Sequence, residues 1–218
     1  MITAKNLHTT GPLARYHRNG KDLGMNLEPR LVAESQVDRL RAFEPTREEI
    51  TRFSPALAGF YNDDYNRSMM ANTVAMTTAE VIEHFEGLRH QGGRPFLLER
   101  DGVLLGDADL RHITAKTAEF AILIGQRPEQ GKGIGTRFAI LLHALAFRGL
   151  GLERIFVSII PANQPSQRLF AKIGYSADDS PAARAFADDP TDITMSCSRA
   201  TFEAAHEAAL EEIRWSLR

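Results

Sequence analysis

Between residues 131 and 147 the chain reads GKGIGTRFAILLHALAF. Gly131, Gly133 and Gly135 fall at every second position, and a run that is apolar except for His143 follows directly. A helix of that composition is buried on most sides, so other elements must wrap it. The glycines constrain the chain further. One glycine is enough to join a strand to a helix, and each additional one costs about 1 kcal/mol unless a geometry requires it. Three in five residues imply that the backbone itself approaches something closely. Successive free N–H groups at a helix N-terminus form a positive concavity suited to a phosphate or pyrophosphate, and Lys132 can add a point charge. A Walker loop is excluded, because Gly131-Lys132 is followed by Gly133 and the residue five before Gly131 is Gln126. A dinucleotide fingerprint is excluded too, because Thr136 or Phe138 stands where its third glycine belongs. The residues alone leave two readings standing: a nucleotide-like ligand docked at this junction, or a glycine-rich turn and nothing more.

Periodicity supplies the elements around the run. Residues 1–24 are polar and glycine-punctuated, and read as a tail or peripheral segment. A strand over 26–33 and a short helix over 34–44 open the domain, followed by an irregular, partly helical excursion over 44–70. Thr77 and Glu80 form a capping box, with Val81, Ile82, Phe85 and Leu88 at helical spacing and Gly92-Gly93 as the stop. Two strands, 95–100 and 103–113, flank the turn dipeptide Asp101-Gly102. A third strand, 116–125, runs into the glycines, and the helix from Thr136 to Phe147 follows. A buried strand lies within 149–160, a helix over 163–174 ends at Gly174, and a last strand lies within 188–199. Over 200–217, Phe202, Ala205, Ala209, Ile213 and Leu217 share one face of an amphipathic helix. The order predicts an α/β layered domain: a mixed, mostly antiparallel sheet with helices on both faces.

Composition sets outer limits. The 218 residues suit one domain, and a net charge of −2 gives no general attraction to nucleic acid or an acidic membrane. The lone Cys197 excludes an internal disulfide and a cysteine-based metal cluster, and fits a reducing cytoplasm. No apolar stretch nears the roughly 18–20 residues of a membrane span. The first twenty residues lack the apolar core of a secretory signal. No histidine set has metal spacing: His84 and His90 are six apart, His206 stands alone, and His143 reads as core.

Downstream, residues 160–175 read IPANQPSQRLFAKIGY. Two patterns thus stand in order, each at a strand–helix junction. The first is Q-x-x-G-x-G at Gln130, Gly133 and Gly135; the second is N-x-x-S…K-x-G-[FY] from Asn163 to Tyr175. The pair resembles the GNAT superfamily of acyl-CoA-dependent N-acyltransferases over roughly residues 95–199. Within it the pattern is similar to the branch that acetylates ribosomal-protein N-termini and its small-molecule relatives. The resemblance implies a GNAT-like domain over 25–199 with the helix of 200–218 appended. It implies acetyl-CoA as acyl donor, no metal, and direct attack on the thioester by a primary amine, either a protein or peptide N-terminus or a small molecule. By the same resemblance the pyrophosphate would fall to the backbone N–H groups of Gln130, Gly131, Lys132, Gly133, Ile134, Gly135 and Thr136. The resemblance further implies that the pantetheine arm pairs with the free strand edge at Ile122, Leu123 and Ile124, and that Asn163 bonds it with Ser166 nearby.

Amide formation from a thioester requires a neutral amine, a base for its proton and an acid for the leaving thiolate. Glu119 shares a strand face with Ala121 and Leu123, and a carboxylate there is costly unless paired or used. It is either the base, directly or through water, or one half of an ion pair with an arginine. The tyrosine frequent in the family as general acid is replaced by Phe170, which has no proton to give. Ser166 can take that role, as in the ribosomal branch, or simply start a helix. The resemblance places the acceptor pocket beside 53–76, where Tyr61 and Tyr65 flank Asp63 and Asp64, with Asp107 and Asp109 on one face of the second hairpin strand. These groups either receive a cationic amine or form a solvated acidic turn and edge. A CoA-binding regulatory module without catalysis is the alternative function. The terminal helix either supports a homodimer or covers the sheet of its own chain.

Overall fold

The computed structural model of the chain describes residues 30–70 and 74–218. The tail expected over 1–24 lies outside the described residues. Strands β1 (Leu31–Ser35) and β2 (Leu40–Phe43) pair antiparallel, with Ser35 opposite Leu40. The helix expected over 34–44 is therefore a hairpin. Arg39 adopts φ 56° and turns the chain, and pairing buries Val32, Ala33, Leu40, Ala42 and Phe43. A helix over the same residues would leave the edge of the sheet beside them unpaired.

The excursion over 44–70 is more regular than its sequence suggests. Helix α1 (Arg47–Asn62) starts with a full capping box between Thr46 and Glu49 and carries Pro55 inside it. Pro55 has no N–H for the carbonyl of Thr51, and the hydroxyl of Ser54 donates to that carbonyl instead, at 3.0 Å. Helix α2 (Asp64–Met69) follows after Asp63, whose side chain accepts from the N–H of Asn66. Helix α3 (Thr78–His90) has the expected box of Thr77 and Glu80.

Strands β3 (Arg94–Arg100) and β4 (Val103–Arg111) form the expected hairpin, with Asp101 and Gly102 both at positive φ. Strand β5 (Thr117–Ile124) pairs with β4 and leads to α4 (Ile134–Ala144), which runs on as one wide turn over Leu145–Gly149. Strand β6 (Arg154–Ile159), helix α5 (Gln164–Lys172), the two-residue β7 (Ser176–Ala177), the single-turn α6 (Pro181–Arg184) and strand β8 (Ile193–Ser198) come next. The chain closes with α7 (Arg199–Glu212) and β9 (Ile213–Leu217).

One sheet holds all nine strands, in the order β7-β8-β6-β5-β4-β3-β2-β1-β9. Every pairing among the described residues is antiparallel except β5 with β6. Its two faces carry separate cores. One gathers Phe138, Leu142, Phe147, Phe170 and Phe202 from α4, its extension, α5 and α7. The other packs Ile50, Leu57, Tyr61, Val81 and Phe85 from α1 and α3 onto Phe43, Leu97 and Leu104.

The terminal amphipathic helix of 200–217 stops short. Helical geometry breaks at His206 and the helix ends at Glu212. Residues 213–217 pair instead along the outer edge of β1, from Leu31 opposite Leu217 to Ser35 opposite Ile213. Leu217, on the expected apolar face, is 64% exposed. Satisfying an open row of backbone groups outweighs the helical stripe. Phe202 and Leu210 are buried in the core of their own chain.

Candidate active site

The sheet parts in the middle. Strands β5 and β6 pair only from Thr117 opposite Arg154 to Glu119 opposite Phe156. Beyond that point β5 stays with β4 as far as Ile124 opposite Gly106, and its other edge faces open space. A cavity of about 440 Å³ lies there. Its walls are Ile122, Leu123 and Ile124 of β5; Gln130, Gly131, Gly133, Gly135 and Thr136 at the head of α4; Asn163, Ser166 and Arg168 at the start of α5; and Tyr65, Met69 and Met70 around α2.

The three glycines do two different things. Gly131 and Gly133 have φ of 74° and 80°, the left-handed region in which a side chain is strained. Gly133 caps α4 without any side-chain hydrogen bond. Among the described residues the backbone N–H groups of 131–136 donate to no acceptor, so the positive end of α4 opens onto the cavity. Gly135 is a packing contact: a Cβ there would sit 2.9 Å from Leu169 Cδ1 and 3.4 Å from Ile124 Cγ1. The N–H of Gln130 differs from its neighbours, donating to Arg127 O at 3.2 Å. Lys132 and Ile134 do not line the cavity. Lys132 is exposed and lies 3.4 Å from Glu129, and Ile134 is buried in the core.

Side-chain amides lace α2 to this junction. Asn163 caps α5, its Oδ1 accepting from Ser166 N at 3.0 Å, and its Nδ2 donates to Met69 O at 2.9 Å. The capping role thus belongs to Asn163, and the hydroxyl of Ser166 is left for other partners. Gln130 Nε2 donates to Ile124 O at 2.7 Å and to Asn66 Oδ1 at 2.8 Å. Asn66 in turn donates to Phe60 O and Gly125 O, at 2.9 and 3.1 Å, and is only 1% exposed. Asn66 was not singled out from the sequence. It stands in a stretch without clear period, and nothing local marks it.

A polar strip crosses the α1/α3 face of the sheet next to the cavity. Asp107, Asp109 and Arg111 of β4 stand opposite Leu123, Ala121 and Glu119 of β5, so all three carboxylates share that face. Asp109 and Arg111 form a two-pronged ion pair at 2.7 and 3.1 Å. Burial alone would raise the Asp109 carboxyl, but the Arg111 guanidinium holds it below its ordinary value. Glu119 accepts from or donates to no acid of its own strip. It lies 3.0 Å from His112 Nδ1 and 4.0 Å from Arg111, and its hydrogen bond raises the His112 imidazole. Asp107 is different. Its Oδ2 accepts from the Tyr61 hydroxyl at 2.7 Å, its Oδ1 has no partner among the described residues, and burial raises it to about 7. Burial also raises Tyr61 well above a normal phenol. On α3, His84 Nε2 is buried without a hydrogen-bond partner among the described residues, and burial lowers this imidazole to about 4. Tyr65 sits at the rim of the cavity, its ring covered by the Arg127 guanidinium at 3.7 Å. Tyr61, Asp107, Asp109 and Glu119 are thus brought onto one face: Asp107 and Asp109 on β4, one strand away from the cavity wall, Glu119 on β5 before that strand reaches the cavity, and Tyr61 on α1 above them; none of the four lines the cavity itself. No group of three or more metal-ligating side chains occurs among the described residues.

A sheet split at a parallel seam, with a glycine-capped helix head beside the open edge, is the arrangement of a GNAT acetyltransferase. Residues 30–176 match the acetyltransferase (GNAT) domain, and the chain belongs to that family. Among particular relatives, the spermidine N(1)-acetyltransferase of Escherichia coli is 33% identical over 94 residues, which cover 42% of this chain and 50% of the relative. The chain thus matches half the length of that protein. Among solved structures, Mycobacterium smegmatis RimJ in complex with CoA-disulfide superposes with a TM-score of 0.64 at 17% identity, covering 87% of this chain and all of that one (100%). Spermidine N-acetyltransferase from Vibrio cholerae, in complex with CoA and spermine, gives 0.59 at 22% identity, covering 75% and 98%. At these identities the two structures speak for the fold.

Proposed function

We propose that the chain is an acetyl-CoA-dependent N-acetyltransferase that acylates a primary amine, on a small molecule or at a protein N-terminus. The observation that carries this reading is the set of free N–H groups over 131–136 beside the unpaired edge of β5. Those donors suit a pyrophosphate, with Arg168 and Lys172 also lining the cavity. The open edge at Ile122 and Leu123 suits a strand-like pantetheine arm, while Ile124 O is already taken by Gln130. Acetyl-CoA when bound brings its own activated acyl group. The protein's part is to hold it, to exclude water and to manage protons. Ser166 lines the cavity wall, which supports a role for its hydroxyl in protonating the departing sulfur. The carboxylates of the α1/α3 face suit a cationic acceptor, in line with the spermidine and spermine named for the two polyamine relatives. The alternative, a CoA-binding module without catalysis, draws on Phe170 in place of a tyrosine and on the lack of an obvious acceptor motif. The Phe170 ring is buried against Phe120 and Tyr175 in the core and does not line the cavity, so nothing here favours the module.

Thermal unfolding with and without acetyl-CoA tests the reading. A ligand at 100 times its Kd stabilises the native state by about 2.7 kcal/mol. For a domain of this size that raises Tm by roughly 5–10 °C. CoA release with a panel of primary amines, polyamines included, should follow. No shift at millimolar acetyl-CoA together with no release would overturn the proposal.

A further inference from the structure

We infer that Asp107, rather than Glu119, takes the proton from the attacking amine, with Tyr61 as the residue that positions it. The inference rests on the transferase reading above and adds the proton acceptor. Three observations point to Asp107. First, it supplies the one buried carboxylate oxygen without a hydrogen-bond partner among the described residues, and it is only 6% exposed. A buried acceptor left unsatisfied is costly, and such groups persist where a ligand or a reaction uses them. Second, it stands directly opposite Leu123, which lines the cavity. Tyr61, its partner, belongs to the same apolar cluster as Leu123 and Met70, the two residues through which that cluster reaches the cavity. Third, the other carboxylates of the strip are already engaged: Asp109 by the Arg111 guanidinium at 2.7 Å, and Glu119 by a hydrogen bond with the His112 ring at 3.0 Å and by Arg111 at 4.0 Å. A carboxylate already paired is a weaker base.

Among the described residues, the charged and titratable groups that act on Asp107 are Tyr61 on α1 and Asp109 and Arg111 on β4; His84 on α3 is coupled to Asp109 and Arg111. Burial, the first cause of its raised value, and the nearby Asp109 both favour the protonated acid; the Tyr61 hydroxyl and Arg111 oppose them. The resulting value near 7 matches what a general base needs at neutral pH. The step balances simply. An ammonium gives one proton to Asp107 Oδ1 and becomes a neutral amine. Its lone pair forms the new C–N bond to the acyl carbon, and the C–S bond breaks with its electron pair on sulfur. The second nitrogen proton reaches that sulfur through the Ser166 hydroxyl, which gives one proton and takes one, and Asp107 returns its proton to water.

The test measures kcat and kcat/KM against pH for the full chain with any amine that wild type acetylates, alongside acetyl-CoA binding. Asp107→Asn should lower kcat about 100-fold or more while the acetyl-CoA-dependent rise in Tm persists. Wild type should show an acid limb near pH 7 that Glu119→Gln keeps. Tyr61→Phe, which removes a hydrogen bond to the charged form, should move that limb to higher pH, and this holds the inference to account even if Asp107→Asn does not fold. Asp107→Asn turnover within threefold of wild type overturns it. So does a limb unmoved in Tyr61→Phe or abolished in Glu119→Gln. Failure of wild type to acetylate any amine, by contrast, overturns the transferase reading itself.

Discussion

Replacing His143 with glutamine should remove a defined part of the protein's acid sensitivity. His143 lies on α4 with no exposed surface. Its Nδ1 is 2.7 Å from Ala139 O, which can only accept, so that nitrogen carries the proton. Nε2, 2.7 Å from the Tyr175 hydroxyl, therefore accepts from the phenol. A second ring proton would face a hydroxyl already committed and a ring of aromatic side chains: Phe120, Phe147 and Phe202. Burial accordingly lowers the imidazole to about 4, from an ordinary 6.5. As pH falls through 6.5 the unfolded chain gains a proton that the folded chain refuses until about 4, so stability is lost across that window. At pH 5 the loss is about 2 kcal/mol, and at pH 7.5 it is close to zero. His84, also lowered to about 4, adds a loss of the same sign. Asp107, raised to about 7, acts in the opposite sense, because its folded form binds a proton in this window that the unfolded form does not. His112, raised by its bond to Glu119, acts in the same sense as Asp107, and the wild-type slope mixes all of these groups, so the informative quantity is a difference. Unfolding free energies from urea titrations of wild type and His143→Gln should be compared at pH 7.5 and 5.0. Wild type should lose about 2 kcal/mol more than the variant over that interval. Equal losses would refute the account of a buried neutral imidazole.

Two glycine substitutions should separate backbone strain from collision. Gly133→Ala meets no atom within 4 Å but must keep φ at 80°, which costs about 1–2 kcal/mol and a few degrees of Tm. The same change should weaken the response to acetyl-CoA, and an unchanged response would detach this turn from ligand binding. Gly106→Ala would place a Cβ 1.9 Å from Leu123 O, a backbone atom that cannot swing aside. The strands β4 and β5 must then separate beside Asp107, at a cost of about 3 kcal/mol or more. A thermal melt within a degree of wild type would contradict the close approach of these two strands.

Local chemistry was legible wherever it was self-contained. Asp101-Gly102 specifies its hairpin because both residues tolerate positive φ, and Thr77 with Glu80 specifies a helix start. The same signal, Thr46 with Glu49, begins α1, and Ile50, Leu57, Ala58 and Tyr61 mark its buried face. Pro55 and the polar Ser54 obscure that stripe, and only the hydrogen bond between Ser54 and Thr51 O shows why the proline is accommodated. Positions whose meaning depends on a distant partner stayed closed. Asn66 matters because Gln130 and Gly125 come to it from far along the chain. The spacing of Ile213 and Leu217 fits a helix as well as a strand until the bare edge of β1 decides. Within the candidate site, the glycine segment and the shared face of Asp107 and Asp109 could be read from spacing. Asp107's free oxygen and the pairing of Glu119 with His112 could not, because both depend on where neighbouring elements come to rest.

The pairing of β9 with β1 has a bearing on how the molecule assembles. Its partners, residues 213–217 and 31–35, lie about 180 positions apart, and contacts of such separation form slowly because a very large loop must first close. Until they meet, the apolar stretch Leu31-Val32-Ala33 presents an uncovered row of backbone donors and acceptors to any other extended chain. The final strand therefore doubles as a shield, and removing residues 213–217 should yield a protein that keeps its cavity yet precipitates readily on refolding.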